Sequence, residues 1–154
     1  MSRSPGGQRT STIHVLGFSL GAGEMEETSQ CPFCNLPAAR VWIESEVGIA
    51  FLDGFPVTEG HTLIIPRRHV ASVFDLSPDD LAGLWQMVAD VRARLDHEHS
   101  PEGFNIGVND GEAAGQTVPH AHVHVIPRRK GDVEDPRGGV RWIVPDKADY
   151  WSDR

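Results

Sequence analysis

The segment His120-Ala121-His122-Val123-His124-Val125-Ile126 alternates polar and apolar residues with a period of two. Only an extended strand turns that alternation into two chemically distinct faces. His120, His122 and His124 then share one side, with neighbouring imidazoles about 6.6 Å apart from two steps of about 3.3 Å. Ala121, Val123 and Val125 take the other side and can pack on a helix. Solvated strand positions usually carry Thr, Lys or Glu, so a row of three histidines points to metal binding or acid–base chemistry. Such a strand requires a sheet to sit in, a helix behind it and a cavity over its imidazoles.

The helix is legible upstream. Ser77 is a good N-cap, Pro78 suits the first helical position, and Asp79 and Asp80 complement the positive helix end. Leu81, Leu84, Trp85, Val88, Val91 and Leu95 follow as one stripe, leaving Arg92, Arg94 and Glu98 for solvent. The helix is expected to end near His97, before Pro101. Short apolar runs at 41–44 and 49–52 flank Ser45–Gly48 and read as a hairpin. His61–Ile65 is a third strand stopped by Pro66, Phe104–Asn109 a fourth, and Val118–Ile126 a fifth stopped by Pro127. Asp110–Gly115 is a glycine-bounded loop. Consecutive hairpins with one long helix and a short one imply an α+β domain on an antiparallel sheet of about five strands. No G-x-G-x-x-G follows a strand, so a dinucleotide fold is excluded.

A chain of 154 residues with 39% hydrophobic residues fits one globular domain. Residues 1–27 are largely polar and Gly/Ser-rich and read as a flexible arm or a strand-length extension; 28–154 form the domain, with a tail too rich in Pro and Gly for a long element. There is no internal repeat. Fourteen Lys and Arg stand against 22 Asp and Glu, a formal net charge of −8. That balance argues against non-specific nucleic-acid binding, while a local cluster of donors still permits a small anionic substrate. No membrane-length apolar run and no secretory core are present, and two cysteines are too few for a disulfide framework. The expected location is cytoplasmic, with no membrane or nucleic-acid partner.

Cys31-Pro32-Phe33-Cys34 has the spacing of a metal-ligand pair, and equally admits two reduced cysteines packed as small apolar residues. Asn109 to Thr117, directly before the histidines, offers backbone N–H groups beside glycines together with amide and hydroxyl donors.

These residues together resemble the histidine triad superfamily, whose pattern His-φ-His-φ-His-φ-φ is satisfied by His120–Ile126. The similarity extends over AFLDGFPVTEGHTLIIPRRH (Ala50–His69) and NDGEAAGQTVPHAHVHVIPR (Asn109–Arg128), roughly residues 30–130 in the expected order. The resemblance implies a nucleotidyl hydrolase or transferase working through a nucleotidyl-histidine intermediate. His122 would be the nucleophile on the α-phosphorus, with His124, Gln116 and Thr117 stabilising charge on the phosphate. Asn109 would lie near the phosphate or leaving group, Asp53 would accept from the ribose hydroxyls, and Phe51 would line the base pocket or be an ordinary core residue.

In the bacterial zinc-binding branch, and in the related galactose-1-phosphate uridylyltransferases, the positions matching Cys31, Cys34, His69 and His120 hold zinc. His61 is expected to be structural, shaping the sheet or the pocket, and His14, His97 and His99 to be solvated. Pro119 removes a backbone donor at the strand entrance. The tail arginines Arg137 and Arg141 would reach distal phosphates or remain solvated. The resemblance also implies a homodimer joined edge to edge. The segment around the triad looks closest to the dinucleoside polyphosphate-cleaving branch. Phosphoramidate hydrolysis, a binding module with vestigial catalysis and a sugar-phosphate nucleotidyltransferase are the rival readings.

Overall fold

The computed structural model describes residues 28–152, so the arm expected over residues 1–27, with His14, lies outside the described residues. Five strands build one antiparallel sheet: β1 (Ile43–Glu44), β2 (Gly48–Leu52), β3 (Thr62–Pro66), β4 (Gly103–Val108) and β5 (Val123–Arg128). Their order is β1-β2-β3-β5-β4, every neighbouring pair antiparallel. The α+β class and the antiparallel sheet expected from the sequence are those found. A single long helix, α1 (Pro78–His99), joins β3 to β4 across one face, and short 3₁₀ turns precede β1, lead into α1, connect β4 to β5 and follow β5. No helix among the described residues is long and apolar enough to cross a membrane.

The start of α1 follows its capping chemistry. The Ser77 hydroxyl accepts from the Asp80 N–H at 3.1 Å, with Pro78 in the first turn. The helix continues to His99 and stops at Ser100, which adopts a left-handed conformation at φ 46° and donates its N–H to the Asp96 carbonyl. Leu84, Met87, Val88, Val91 and Leu95 bury against Ala50, Ile64, Val123 and Val125 of the sheet. Trp85, expected within the stripe, is 47% exposed, and Met87 takes its place at 3%. At about 100° per residue Met87 lies about 60° from Leu84 around the helix and Trp85 about 100°, beyond the sheet's reach. Arg92 and Arg94 are exposed, as expected, and their guanidinium groups lie over the rings of Phe104 and Trp42 at 5.1 and 4.5 Å.

Of the two prolines expected to end strands, Pro66 is the last residue of β3, as expected, whereas Pro127 sits inside β5. Within one strand residue the N and C=O groups project to the same edge. The Pro127 carbonyl accepts from the Thr58 hydroxyl at 2.7 Å, so the missing Pro127 N–H faces the edge where β3 has already ended at Thr62↔Val125. The Pro66 carbonyl accepts from His120 at 2.9 Å, again away from the β2 ladder. Neither residue costs a ladder hydrogen bond, so β3 can include Pro66 as its last residue and β5 continues through Pro127 to Arg128. At its other end β5 begins only at Val123. Residues 118–122 are held instead by His120 N–H to the Val118 carbonyl (2.8 Å) and Ala121 N–H to the Val70 carbonyl (2.7 Å).

The sheet face away from α1 carries a smaller cluster, Phe51, Leu63 and Ile65, against which Phe33, Leu36 and Ile49 pack. Gly48 marks the closest approach of β2 to its neighbours. A Cβ there would lie 2.6 Å from the Ile65 carbonyl oxygen and 3.1 Å from both the Leu84 and the Met87 side chains. Gly48→Ala is therefore expected to lower stability by about 1–3 kcal/mol through overpacking. Urea denaturation should show a lower midpoint at an unchanged slope, and an unmoved midpoint would mean that β2 can shift at no cost.

Candidate active site and metal cluster

The three triad imidazoles gather on the sheet face opposite α1. His120 and His122 are 1% and 6% exposed, and His124 is half-buried. The His122 and His124 rings meet edge to face at 5.0 Å, and Phe33 from the C-P-F-C turn stands against both His120 (5.8 Å) and His122 (5.4 Å). His122 Nδ1 lies 2.8 Å from the His120 carbonyl oxygen. A carbonyl only accepts, so Nδ1 carries the proton and the lone pair is on Nε2.

His120 is fixed in the opposite sense. Its Nε2 donates to the Pro66 carbonyl, which leaves the Nδ1 lone pair facing Cys31 Sγ and Cys34 Sγ at 3.5 Å each. His69 Nδ1 approaches Cys34 Sγ at 3.2 Å, and the His69 and His120 rings are 5.0 Å apart. One ligand atom from each of Cys31, Cys34, His69 and His120 lies within 4.8 Å of the others. The donor set is two sulfurs and two imidazole nitrogens, the chemistry of a closed tetrahedral zinc site, and the tautomer of His120 is the one such a site needs. Burial, with Cys31 beside it, pushes the Cys34 thiol up to about 11. Both effects penalise a thiolate that has no cation next to it.

A second constellation was not foreseen in full. His61, expected to shape the sheet or the pocket, is 3% exposed and its Nε2 lies 3.0 Å from His124 Nδ1. The Val57 N–H donates to His61 Nδ1 at 3.3 Å. That nitrogen therefore holds a lone pair, the His61 proton is on Nε2, and it is donated to His124 Nδ1. The proton of His124 itself is left on Nε2. Asp53 Oδ2 stands 3.4 Å from His61 Nδ1, longer than a good hydrogen bond, while its Oδ1 accepts from the Phe55 N–H at 2.9 Å. Burial lowers the His61 pKa, outweighing the opposing pull of Asp53. Burial first, then His122 and His61, depress His124 to about 4, so this ring is neutral at pH 7. The sequence signal for His61 was its place just before β3, whose Leu63 pairs with His124.

The donor loop folds around a 3₁₀ turn, Glu112–Ala114, between Gly111 (φ 89°) and Gly115 (φ 87°). The Gln116 amide oxygen accepts from the Gly111 N–H, and its NH₂ donates to the Ala71 carbonyl, both at 2.8 Å. An NH₂ carries two hydrogens, so this pinning leaves one for a ligand. Thr117 is exposed in the same loop, and Asn109 lines a cavity of about 750 Å³ together with His61 and His124. Phe51 is 2% exposed beneath Phe33 at 5.6 Å, so the surface it leaves for a base is small. His97 is exposed as expected; His99 is half-buried, 3.8 Å from Glu59. Arg137 and Arg141, weighed as phosphate ligands, are engaged within the tail. Arg137 pairs with Asp135 at 2.7 Å, and Arg141 donates to the Lys147 and Ala148 carbonyls.

The HIT domain family model matches residues 37–131. A nitrilase and fragile histidine triad fusion protein from Caenorhabditis elegans is 40% identical over 127 residues, 82% of this chain and 29% of that protein. An asymmetrical bis(5'-nucleosyl)-tetraphosphatase from Schizosaccharomyces pombe is 39% identical over 107 residues, 69% of this chain and 59% of that protein. The chain thus spans less than two thirds of either relative. Among solved structures, a zinc-bound histidine triad family protein from Mycobacterium smegmatis superimposes with a TM-score of 0.58 at 42% identity, covering 68% of this chain and 79% of that one.

Neutral, buried imidazoles make the fold acid-sensitive. The unfolded chain protonates His61 and His124 near the ordinary 6.5, whereas the folded chain resists until about 4 at His124. Their contribution to stability is complete above about pH 6.5 and is lost as pH falls toward 4. Thermal melts from pH 7 to 4.5 should show a falling Tm, and His124→Asn should flatten that fall. A variant whose Tm falls as steeply as the parent's would remove His124 as a source.

Proposed function

Because the chain belongs to the HIT domain family, we propose that it is a nucleotide hydrolase working through a nucleotidyl intermediate on His122. The observation that carries this is the bond from His122 Nδ1 to the His120 carbonyl at 2.8 Å, which in the neutral ring places the lone pair on Nε2. A nitrogen nucleophile needs that lone pair. Nε2 attacks the α-phosphorus, a P–N bond forms, and the bond from phosphorus to the leaving-group oxygen breaks with its electrons on that oxygen. Water then attacks the same phosphorus, the P–N bond breaks, and a nucleoside monophosphate leaves.

The remaining residues take the roles that their chemistry suits. His124, neutral and protonated on Nε2, donates to a non-bridging phosphate oxygen as charge develops there. Gln116 and Thr117 add neutral donors from the loop, and Asn109 meets the phosphate or the leaving group. Asp53 accepts from the ribose hydroxyls, and Phe51 backs Phe33 at the base. His61 positions His124 by holding its tautomer. The substrate class we favour is a dinucleoside polyphosphate, supported by the similarity to the fission-yeast tetraphosphatase.

Zinc on Cys31, Cys34, His69 and His120 belongs to the same reading, supported by the donor set and by the zinc-bound relative. When bound, a closed four-ligand zinc supplies structure and no open position for substrate. The residues themselves tie the C-P-F-C turn to the triad and fix His120, whose carbonyl orients His122. A homodimer, and a cytoplasmic location, complete the proposal; of the two edge strands, β1 and β4, the six-residue β4 offers the longer pairing edge.

His122→Asn should reduce turnover of diadenosine tetraphosphate by several orders of magnitude while nucleotide affinity survives. Unchanged turnover would remove His122 from the mechanism. Metal analysis of the purified chain should find about one zinc per chain, and chelation should lower the Tm. Metal-free protein of full stability with both thiols titratable would overturn the metal assignment.

A further inference from the structure

The tail, residues 132–152, lies beyond the segment matched by the family model, yet it is a built element. Arg137 forks onto Asp135 and lies over the Trp151 ring at 4.6 Å; Arg141 lies over Tyr150 at 4.9 Å while donating to two tail carbonyls. Trp142 Nε1 donates to the Arg137 carbonyl at 2.8 Å, and Ala148 is fully buried. A segment held this tightly by polar contacts would ordinarily turn its aliphatic side chains inward. Instead Val140, Ile143 and Val144 are 64%, 83% and 52% exposed.

Those three residues form one wall of the cavity of about 750 Å³ that also holds His124, Asn109 and Ile126. Its volume is that of a small-molecule site, and no Asp, Glu, Lys or Arg lines it. Across the sheet, Asp53 follows β2, the triad is on and just before β5, and Asn109 follows β4. A nucleotide with its ribose at Asp53 and its α-phosphorus at His122 has its expelled half left for the β4 side, where this cavity is. An in-line displacement keeps nucleophile and leaving group on opposite sides of phosphorus, so the leaving group departs away from His122, and the cavity beside His124 is the space that can receive it.

We infer that the tail wall formed by Val140, Ile143 and Val144 is a leaving-group subsite that favours substrates whose expelled half ends in a flat apolar group such as a nucleobase. The inference rests on the nucleotidyl-hydrolase reading and deepens it. A small leaving group such as ammonia ends at the phosphate and does not reach the wall. The tail thus sets the choice between leaving groups, while His122 and Asp53 serve the half common to all of them.

The test is the ratio of kcat/KM for diadenosine tetraphosphate to kcat/KM for adenosine 5'-phosphoramidate, in the full chain and in Val140→Ser combined with Ile143→Ser. Both side chains are exposed, so their truncation does not open the core. The ratio should fall about tenfold in the variant, the scale expected from removing apolar contacts to one substrate only. An unmoved ratio overturns the subsite, whether both constants fall together or neither changes. An altered oligomeric state at an unmoved ratio assigns the aliphatic wall to a second copy of the chain and likewise overturns it. A full chain that releases the nucleoside monophosphate from neither compound overturns the parent reading and the subsite together. Cleavage of both with an unmoved ratio overturns the subsite alone.

Discussion

The site depends on how His120 is held. Its Nε2 donates to the Pro66 carbonyl, its Nδ1 faces two sulfurs, and its own carbonyl accepts from His122 Nδ1. One residue therefore links β3, the C-P-F-C turn and the imidazole at the centre of the triad. The link is directional at each step, because a carbonyl can only accept and a neutral imidazole has one donor and one acceptor. Were His120 free to turn, the tautomer of His122 would no longer be dictated. A buried side chain that is 1% exposed and bonded at both ring nitrogens has little room to turn.

The two clusters beside the triad divide the labour along the sheet. Cys31, Cys34, His69 and His120 gather sulfur and nitrogen donors at one end; Asp53, His61 and His124 gather a carboxylate and two rings at the other. The second set lacks a thiolate, and His61 already accepts from the Val57 N–H and approaches His124 at 3.0 Å. Its nitrogens are occupied with each other, which suits the relay of a tautomer better than the capture of an ion. His122 stands between the two ends, its ring 5.0 Å from that of His124 and against Phe33 on the other side.

Local rules carried the reading where they act alone. The Ser77 cap, the proline after it and the stripe of Leu84, Val88, Val91 and Leu95 all follow from short-range chemistry, and α1 forms as they require. The period-two alternation gave the composition of both faces of β5, and Val123 and Val125 are in the core beneath α1. What failed depended on neighbours. Pro127 is harmless because β3 has ended beside it, and Trp85 is exposed because the sheet is not wide enough to cover its side of the helix. His61 looked like one polar residue before an apolar run; only the β3–β5 register brings it to His124. The arginines of the tail carried no sign that Trp151, Tyr150 and the tail carbonyls would engage them.

A formal net charge of −8 raises the question of how such a chain would receive an anion. The net charge itself supplies no attraction, and the tail guanidinium groups are turned toward their own segment. The cavity beside His124 carries no charged residue; its polar groups are imidazoles and the amides of Asn105 and Asn109. Such groups act only at hydrogen-bond range, where they discriminate by position and orientation. Keeping His124 neutral follows the same logic. A ring charged at rest would bind any phosphate in the ground state, whereas a neutral donor aimed at one oxygen gains most when charge builds on that oxygen. Burial, which depresses the His124 pKa to about 4, is thus the physical cause both of its acid sensitivity and of the neutral donor that the proposed chemistry would use.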